Sequence, residues 1–219
     1  MKTYRKGVIF DLDGVIVSTD NIHYEAWLEL ARRLGITAYT RQDNERQRGV
    51  SRMESLEVLL EKSERQYTAE EKVALAEEKN DIYKEMLKMI GPRDLLAGVL
   101  ETIHKLKQLG ILTAIGSASK NTRYILERLE IVDLFDAICD GTIAAKSKPD
   151  PEVFKKAADM LQLPYKECVV VEDSLAGIQA AKACGMRCVG VGPLHGRLGA
   201  DYHAIGLNGE LDWEKILKE

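Results

Sequence analysis

The chain has 219 residues, which is enough to bury a full core and suits one domain with an insertion or two modest domains. Hydrophobic residues make up 45% and charged residues 30%, and 31 basic against 35 acidic residues leave a net charge of −4. These values do not indicate a nucleic-acid-binding or membrane-binding surface. No apolar run approaches the roughly 20 residues that span a bilayer, and the first residues lack the pattern of a signal peptide.

The cysteines indicate a reducing compartment. None of them forms a Cys-x-x-Cys pair, and no histidines stand at zinc-finger spacing; the four are Cys139, Cys168, Cys184 and Cys188. We therefore predict reduced, mostly buried thiols and a cytoplasmic protein.

The first element is a short apolar run, Val8-Ile9-Phe10, which predicts a buried strand that ends at Asp11. From about residue 18 to residue 90 apolar positions recur at helical spacing and β-branched runs are scarce, so we expect several helices and no strand. Gly91-Pro92 ends this pattern. We predict a small all-helical cap, residues 18–91, inserted after the first strand of a core made of residues 1–17 and 92–219.

Beyond Gly91-Pro92, strand and helix patterns alternate. Apolar runs predict strands over 111–115, 137–139, 169–171 and 188–191, and amphipathic stretches predict helices over 95–109, 121–129, 151–161 and 175–184. Residues 196–219 carry no clear pattern apart from a short final helix over 211–217. Alternation of this kind predicts an α/β fold, in which a Rossmann-like parallel sheet has helices on both faces.

Chemically active side chains follow several of these strands. Asp11 and Asp13 follow the first strand, Ser117 follows the strand over 111–115, and Glu172-Asp173 follow the strand over 169–171. Ligands of open α/β sheets bind beyond the carboxyl ends of the strands, so we expect these groups to converge there. Each group alone is common in turns and helix caps, but their placement at corresponding strand ends predicts one site.

The residue types at this edge favour metal-assisted phosphoryl transfer. Closely spaced carboxylates repel one another, and Mg²⁺, which prefers oxygen ligands and phosphate, relieves that repulsion. The hydroxyl of Ser117 and the charge of Lys148 suit a bound phosphate. Asp11 and Asp13 can divide the chemistry, because one carboxylate can attack phosphorus while the other transfers a proton.

These motifs together resemble the haloacid dehalogenase superfamily of phosphotransferases. The resemblance covers most of the chain to about Gly192 and is carried by Asp11-Leu12-Asp13-Gly14-Val15, Ser117, Lys148-Pro149-Asp150-Pro151, and Glu172-Asp173-Ser174 with Gly177-Ile178 and Ala181. It implies that Asp11 is the nucleophile and becomes an aspartyl phosphate, and that Asp13 is the general acid/base. It also implies that Asp11, the Asp13 carbonyl, Glu172 and Asp173 hold Mg²⁺, while Ser117 and Lys148 hold the transferring phosphoryl group.

Within the superfamily the chain is most similar to the β-phosphoglucomutases. The features that carry this similarity are His23, Trp27, Gly49-Val50-Ser51-Arg52, Ser55, Lys79-Asn80-Asp81 and Ser117-Ala118-Ser119-Lys120-Asn121. The similarity implies an isomerase that interconverts β-D-glucose 1-phosphate and glucose 6-phosphate through β-glucose 1,6-bisphosphate. That bisphosphate would serve as the activating phosphoryl donor. A monomer acting on a sugar phosphate, with no nucleic-acid or membrane partner, is expected.

The same similarity implies roles for residues outside the core motifs. His23 and Thr19 join the catalytic set, Thr19 at the hinge where the chain leaves the core. The implied substrate-binding residues are Arg48, Gly49, Val50, Arg52, Ser55, Trp27, Lys79, Ala118, Ser119, Lys120 and Asn121, among which Arg52, Ser119 and Asn121 would hold the distal phosphate. Arg48 departs from the lysine usual there, and arginine is not equivalent to lysine in shape or hydrogen bonding.

Structural alternatives remain for the cap residues. His23 and Trp27, one helical turn apart, would also serve as a packing pair, and Arg52 and Lys79 would also serve as solvated surface charges. Two other functions compete with the mutase. One is a magnesium-dependent phosphatase acting on a sugar phosphate or phosphoglycolate, in which water accepts the phosphoryl group. The other is a non-catalytic phosphate-binding protein, which the intact aspartates and lysine disfavour.

Overall fold

The structure, a computed structural model, describes residues 6–47, 50–209 and 211–218. The chain divides into two compact units. The core unit comprises the residues up to Ser18 together with those from Gly91 onward, and the helical unit comprises Thr19–Ile90. None of the helices in the described part of the chain is both long and apolar enough to cross a membrane.

The described residues of the core unit form a six-stranded, fully parallel sheet. Its strands in chain order are β1 (Gly7–Phe10), β2 (Leu112–Gly116), β3 (Ala137–Cys139), β4 (Cys168–Glu172), β5 (Arg187–Gly190) and β6 (Tyr202–His203). In space they run β3-β2-β1-β4-β5-β6, so β1 lies between β2 and β4. Phe10, the last residue of β1, stands opposite Ile115 of β2 and Val171 of β4.

The helices of the described residues complete both units. In chain order they are α1 (Asp20–Arg33), α2 (Arg41–Arg46), α3 (Arg52–Leu60), α4 (Ala69–Leu87), α5 (Val99–Gln108), α6 (Thr122–Arg128), α7 (Glu152–Met160), α8 (Leu175–Ala183) and α9 (Trp213–Leu217). The first four make up the helical unit, whose described residues contain no strand. The predicted fold class is confirmed.

Local sequence explains where the helices of the helical unit begin. Ser51 precedes α3, and its hydroxyl accepts a hydrogen bond from the amide of Glu54, whose carboxylate accepts one in return from the Ser51 amide. Thr68 and Glu71 form the same reciprocal pair at the start of α4. Such a pair satisfies backbone donors that have no partner within the helix, so it fixes the first residue of each helix.

Apolar burial holds the sheet in place. Val169, Val170 and Val171 of β4 have no exposed surface, as expected for a strand covered on both faces. All four cysteines are free thiols; three are buried and Cys184 is partly buried, in agreement with the prediction.

Three elements depart from the expectation drawn from the sequence. The helix predicted over 95–109 begins at Val99, because a short 3₁₀ turn at Pro92–Asp94 precedes it and Gly98 has a left-handed backbone conformation. Strand β6 lies in the tail where the sequence carried no clear pattern, since two residues are too few for a periodic signal. The final helix, predicted over 211–217, begins at Trp213.

Candidate active site

The acidic site is built at the carboxyl ends of β1 and β4. Asp11 directly follows β1, and its amide donates to the carbonyl oxygen of Val171 at 2.9 Å. The in-register pairing of β1 with β4 therefore brings Asp11 beside Glu172 and Asp173. Carboxylate oxygens of Asp11, Glu172 and Asp173 all lie within 4.8 Å of one another. Among the described residues, this is the one group of three side chains suited to a metal ion.

A buried lysine joins two of these carboxylates. The Nζ of Lys148 donates to Oδ1 of Asp11 at 2.7 Å and to Oε1 of Glu172 at 2.6 Å. Lys148 is 3% exposed and Glu172 is 1% exposed, so water screens these ion pairs very little. Burial by itself lowers the pKa of Lys148, but the two carboxylates outweigh burial and raise it above its ordinary value. The lysine is therefore a permanent positive charge in this site.

The electrostatics of Asp11 favour a second cation. Burial raises the pKa of Asp11 well above its ordinary value; Lys148 opposes this shift, while Glu172 and Asp173 add to it. Lys148 alone thus leaves an excess of negative charge at buried oxygen atoms. A hard divalent cation with oxygen ligands, such as Mg²⁺, fits this donor set and would relieve the repulsion.

Two glycines of the motifs leave room for the metal-site carboxylates. Gly14 follows Asp13 with a φ of +79°, and a Cβ on it would overlap the Asp173 carboxylate. A Cβ on Gly177, in the first turn of α8, would overlap the carboxylate of Glu172. The amide of Ser174 donates to Oε2 of Glu172 at 2.6 Å and holds that side chain in place. Asp13 itself is half-buried on the turn after Asp11.

The predicted phosphate-binding loop follows β2, which neighbours β1 on the other side. Ser117 is 2% exposed, and its Oγ accepts a hydrogen bond from the amide of Ser119 at 3.1 Å. The Oγ of Ser119 accepts one from the amide of Asn121 at 3.2 Å. Ala118 is half-buried and Lys120 is exposed. The loop is thus held by its own hydroxyl groups at the same edge of the sheet as Asp11.

In the helical unit, α1 and α4 enclose a buried lysine. Lys79 is 3% exposed, and its Nζ lies 2.8 Å from Nδ1 of His23, 4.7 Å from the ring centre of Trp27 and 4.6 Å from that of Tyr83. The ring of His23 stacks on Tyr83 with centroids 4.1 Å apart. Lys79 is therefore not the solvated surface charge that its acidic neighbours in the sequence allowed. Tyr83 is not among the residues predicted for the site, although it lies one helical turn from Lys79 in α4.

His23 is neutral in this cluster. Burial lowers the pKa of His23 well below its ordinary value, and the positive charges of Lys79 and Arg52 lower it further. With the lysine as donor, Nδ1 of His23 is the acceptor of their hydrogen bond. The amide of His23 donates to the carbonyl of Thr19, which is completely buried at the start of the unit.

Arg52 opens α3 and is held by two side chains of α4. Its guanidinium donates to Glu77 and to Asn80, both at 2.9 Å. The side chain of Arg52 is 20% exposed, so it is partly covered and not fully solvated. Ser55 is buried and Val50 half-buried. Arg48 and Gly49, also predicted to bind substrate, lie outside the described residues.

A model of the haloacid dehalogenase-like hydrolases matches residues 5–185 of the chain. The matched range contains Asp11, Lys148, Glu172 and Asp173 of the acidic site. The chain therefore belongs to the haloacid dehalogenase-like hydrolase family.

Two curated relatives and one solved structure are similar to most of the chain. The chain is 44% identical over 198 residues to the β-phosphoglucomutase of Bacillus subtilis, covering 90% of this chain and 87% of that one. It is 35% identical over 185 residues to the phosphorylated carbohydrates phosphatase of Thermotoga maritima, covering 83% and 82%. A crystal structure of β-phosphoglucomutase from Clostridium difficile superposes with a TM-score of 0.90 at 38% identity, covering 96% of this chain and 95% of that one.

Proposed function

We propose that this chain is a magnesium-dependent β-phosphoglucomutase, which interconverts β-D-glucose 1-phosphate and glucose 6-phosphate through β-glucose 1,6-bisphosphate. The observation that carries phosphoryl transfer is the buried Asp11 carboxylate, bonded to the permanent charge of Lys148 at 2.7 Å. The choice of a mutase rests on the likeness to the two β-phosphoglucomutases, at 44% and 38% identity.

Asp11 is the proposed nucleophile. One of its carboxylate oxygens attacks phosphorus, and the bond between phosphorus and the sugar oxygen breaks, leaving an aspartyl phosphate on the enzyme. Lys148 stabilises the ionised carboxylate before attack and the negative phosphoryl oxygens during transfer. Ser117 is proposed to donate its hydroxyl hydrogen to the same phosphoryl group.

The proposed Mg²⁺ would be held by the carboxylates of Asp11, Glu172 and Asp173 and by the backbone carbonyl of Asp13. When bound, it supplies positive charge to the acidic site and to the phosphoryl oxygens. Asp13 is proposed to protonate the departing sugar oxygen and to take a proton from the attacking hydroxyl in the return step.

The helical unit is proposed to recognise the rest of the substrate. A mutase must bind a bisphosphate at both ends, and the guanidinium of Arg52 suits the distal phosphate because it presents paired donors. Glu77 and Asn80 already hold that guanidinium, which reduces the entropy lost on binding. Ser119 and Asn121 are proposed to contact the same phosphate. His23 and Lys79 are proposed as a preformed polar pair beside the sugar.

Several other roles belong to this proposal. Trp27, Ser55, Val50, Ala118 and Lys120 are proposed to line the sugar site, with Arg48 and Gly49 completing it, and Thr19 is the proposed hinge. Glucose 1,6-bisphosphate is the proposed activator, because the first turnover needs a phosphorylated Asp11. The cytoplasmic, monomeric state expected from the sequence remains a prediction.

A sugar-phosphate phosphatase is the second candidate. The 35% identity to the phosphorylated carbohydrates phosphatase favours it, because the two functions would share the Asp11 site and differ in the oxygen that receives the phosphoryl group. Incubation with Mg²⁺, β-glucose 1-phosphate and a trace of the bisphosphate separates them. A mutase forms glucose 6-phosphate without matching inorganic phosphate, whereas release of phosphate alone would refute the mutase.

A further inference from the structure

A chain of buried hydrogen bonds runs through the helical unit next to the segment proposed to bind the distal phosphate. The hydroxyl of Tyr39 donates to Oε1 of Gln47 at 2.7 Å. Nε2 of Gln47 donates to the carbonyl oxygen of Ser55 at 2.8 Å. Tyr39 is 4% exposed, Gln47 8% and Ser55 5%, so these bonds are shielded from water. None of the proposed roles described above uses Tyr39 or Gln47.

Gln47 joins α2 to α3. It directly follows α2, while Ser55 lies in the first turn of α3, four residues into the helix. Its side chain therefore ties the end of α2 to the first turn of α3, which begins at Arg52. Such a tie limits the positions that the start of α3 can adopt relative to α2.

Tyr39 holds the Gln47 amide in the orientation that the Ser55 carbonyl requires. A glutamine amide has one acceptor oxygen and one donor nitrogen, and only the donor can bond to a carbonyl. The Ser55 carbonyl only accepts, so Nε2 faces it, and Oε1 is left to accept the hydroxyl hydrogen of Tyr39, which anchors the amide in this orientation. Burial, with the nearby charge of Asp43, raises the pKa of Tyr39, so the hydroxyl keeps its proton and remains a donor.

Neighbouring groups hold Tyr39 in this position. Its ring stacks on that of Tyr24, with centroids 5.8 Å apart. Oδ1 of Asn44 lies 3.4 Å from the same hydroxyl oxygen, and Nδ2 of Asn44 donates to Asp20 at 3.0 Å. The hydroxyl is therefore oriented by buried groups on both sides.

From this geometry we propose that Tyr39 is a positioning residue for substrate binding, which acts through Gln47 to fix the start of α3, which carries Arg52. The proposal rests on the proposed function, since it assigns Arg52 to the distal phosphate. It predicts that the Tyr39 hydroxyl affects the binding of the sugar phosphate and leaves the chemistry at Asp11 unchanged.

The test is steady-state mutase kinetics of Tyr39→Phe with β-glucose 1-phosphate and the bisphosphate. Loss of one buried hydrogen bond should raise KM about fivefold, while kcat changes less than about twofold. Tyr24→Phe is the matched control, because it removes a hydroxyl from the stacked partner ring and leaves the Gln47 bond intact. Its KM should equal that of the unchanged protein.

The double variant Tyr39→Phe, Gln47→Leu separates positioning from stability. Tyr39→Phe alone leaves Oε1 of Gln47 buried without this donor and should lower the thermal midpoint. Replacing both partners by apolar groups should restore the midpoint, yet KM should stay raised because the tie to Ser55 is gone. If both KM and the thermal midpoint of the double variant return to the wild-type values, the positioning role of Tyr39 is refuted. An unchanged KM in Tyr39→Phe would refute it too. If the wild-type protein itself forms no glucose 6-phosphate, the proposed function is refuted together with this role of Tyr39.

Discussion

Replacing Lys148 by methionine should destabilise the protein and stop phosphoryl transfer. Methionine has a similar length and keeps the contact with the ring of Phe154, over which Nζ lies at 4.8 Å. The change leaves Asp11 and Glu172 buried without the ammonium group that now lies 2.7 and 2.6 Å from them. Breaking a buried ion pair by removing one partner costs about 3–5 kcal/mol, and we expect a loss of that size in the absence of Mg²⁺.

Urea denaturation, followed by circular dichroism at pH 7, measures this loss. Lys218→Met is the matched control, because its partner Glu214 lies at 3.3 Å on the surface and the Lys218 side chain is 51% exposed. The control should differ from the unchanged protein by less than about 1 kcal/mol. Because Lys148 would stabilise charge that develops during transfer, Lys148→Met should lower kcat by at least about 100-fold. A loss of stability no larger than that of the control, or a kcat within tenfold of the unchanged protein, would refute the role assigned to the buried lysine.

Three further changes test other parts of the site. Asp11→Asn should abolish both mutase turnover and hydrolysis of a small aryl phosphate, and measurable turnover in a purified variant would exclude Asp11 as the nucleophile. Arg52→Ala should damage mutase turnover at least about tenfold more than aryl phosphate hydrolysis, since the aryl ester has no second phosphate; equal losses would contradict a distal-phosphate role. The pKa of His23 is lowered in the folded state. Below about pH 6.5 the unfolded chain therefore binds a proton at His23 that the folded chain does not, and the free energy of unfolding falls by up to about 1.4 kcal/mol for each unit by which the pH is lowered. His23→Asn should reduce that slope in urea denaturation between pH 7 and 5, and an unchanged slope would contradict a neutral histidine in this cluster.

The acidic site could be predicted from the sequence because parallel strands impose it. Once Asp11 and Glu172 each stand at the end of an apolar run, any sheet that places those runs side by side brings the carboxylates together. The exact strand boundaries did not have to be known. The hydrogen-bond partners of Lys148 could not be predicted in the same way. The sequence pattern predicts a phosphate contact for this lysine, whereas its bonds to the carboxylates of Asp11 and Glu172 depend on the folded chain.

The helical unit was less predictable, because its polar groups depend on packing between distant residues. Lys79 has acidic neighbours in the sequence, which allowed a solvated surface position, but the rings of Trp27 and Tyr83 bury it. The bond from Tyr39 to Gln47 has no sequence signal, since either residue is ordinary on a helical surface. Hydrogen bonds of this kind require the folded positions of both partners.

The division of the chain separates the groups that a phosphatase and a mutase share from those that distinguish them. A phosphatase and a mutase need the same nucleophile, lysine and acidic cluster, so these groups cannot decide whether water or a sugar hydroxyl receives the phosphoryl group. A mutase additionally has to bind a bisphosphate by its unreactive end. The helical unit offers Arg52, which Glu77 and Asn80 hold in place, and a buried Lys79 bonded to a neutral His23. The positive charges of Arg52 and Lys79 would suit an anionic ligand, so the choice of acceptor is expected to lie in this unit.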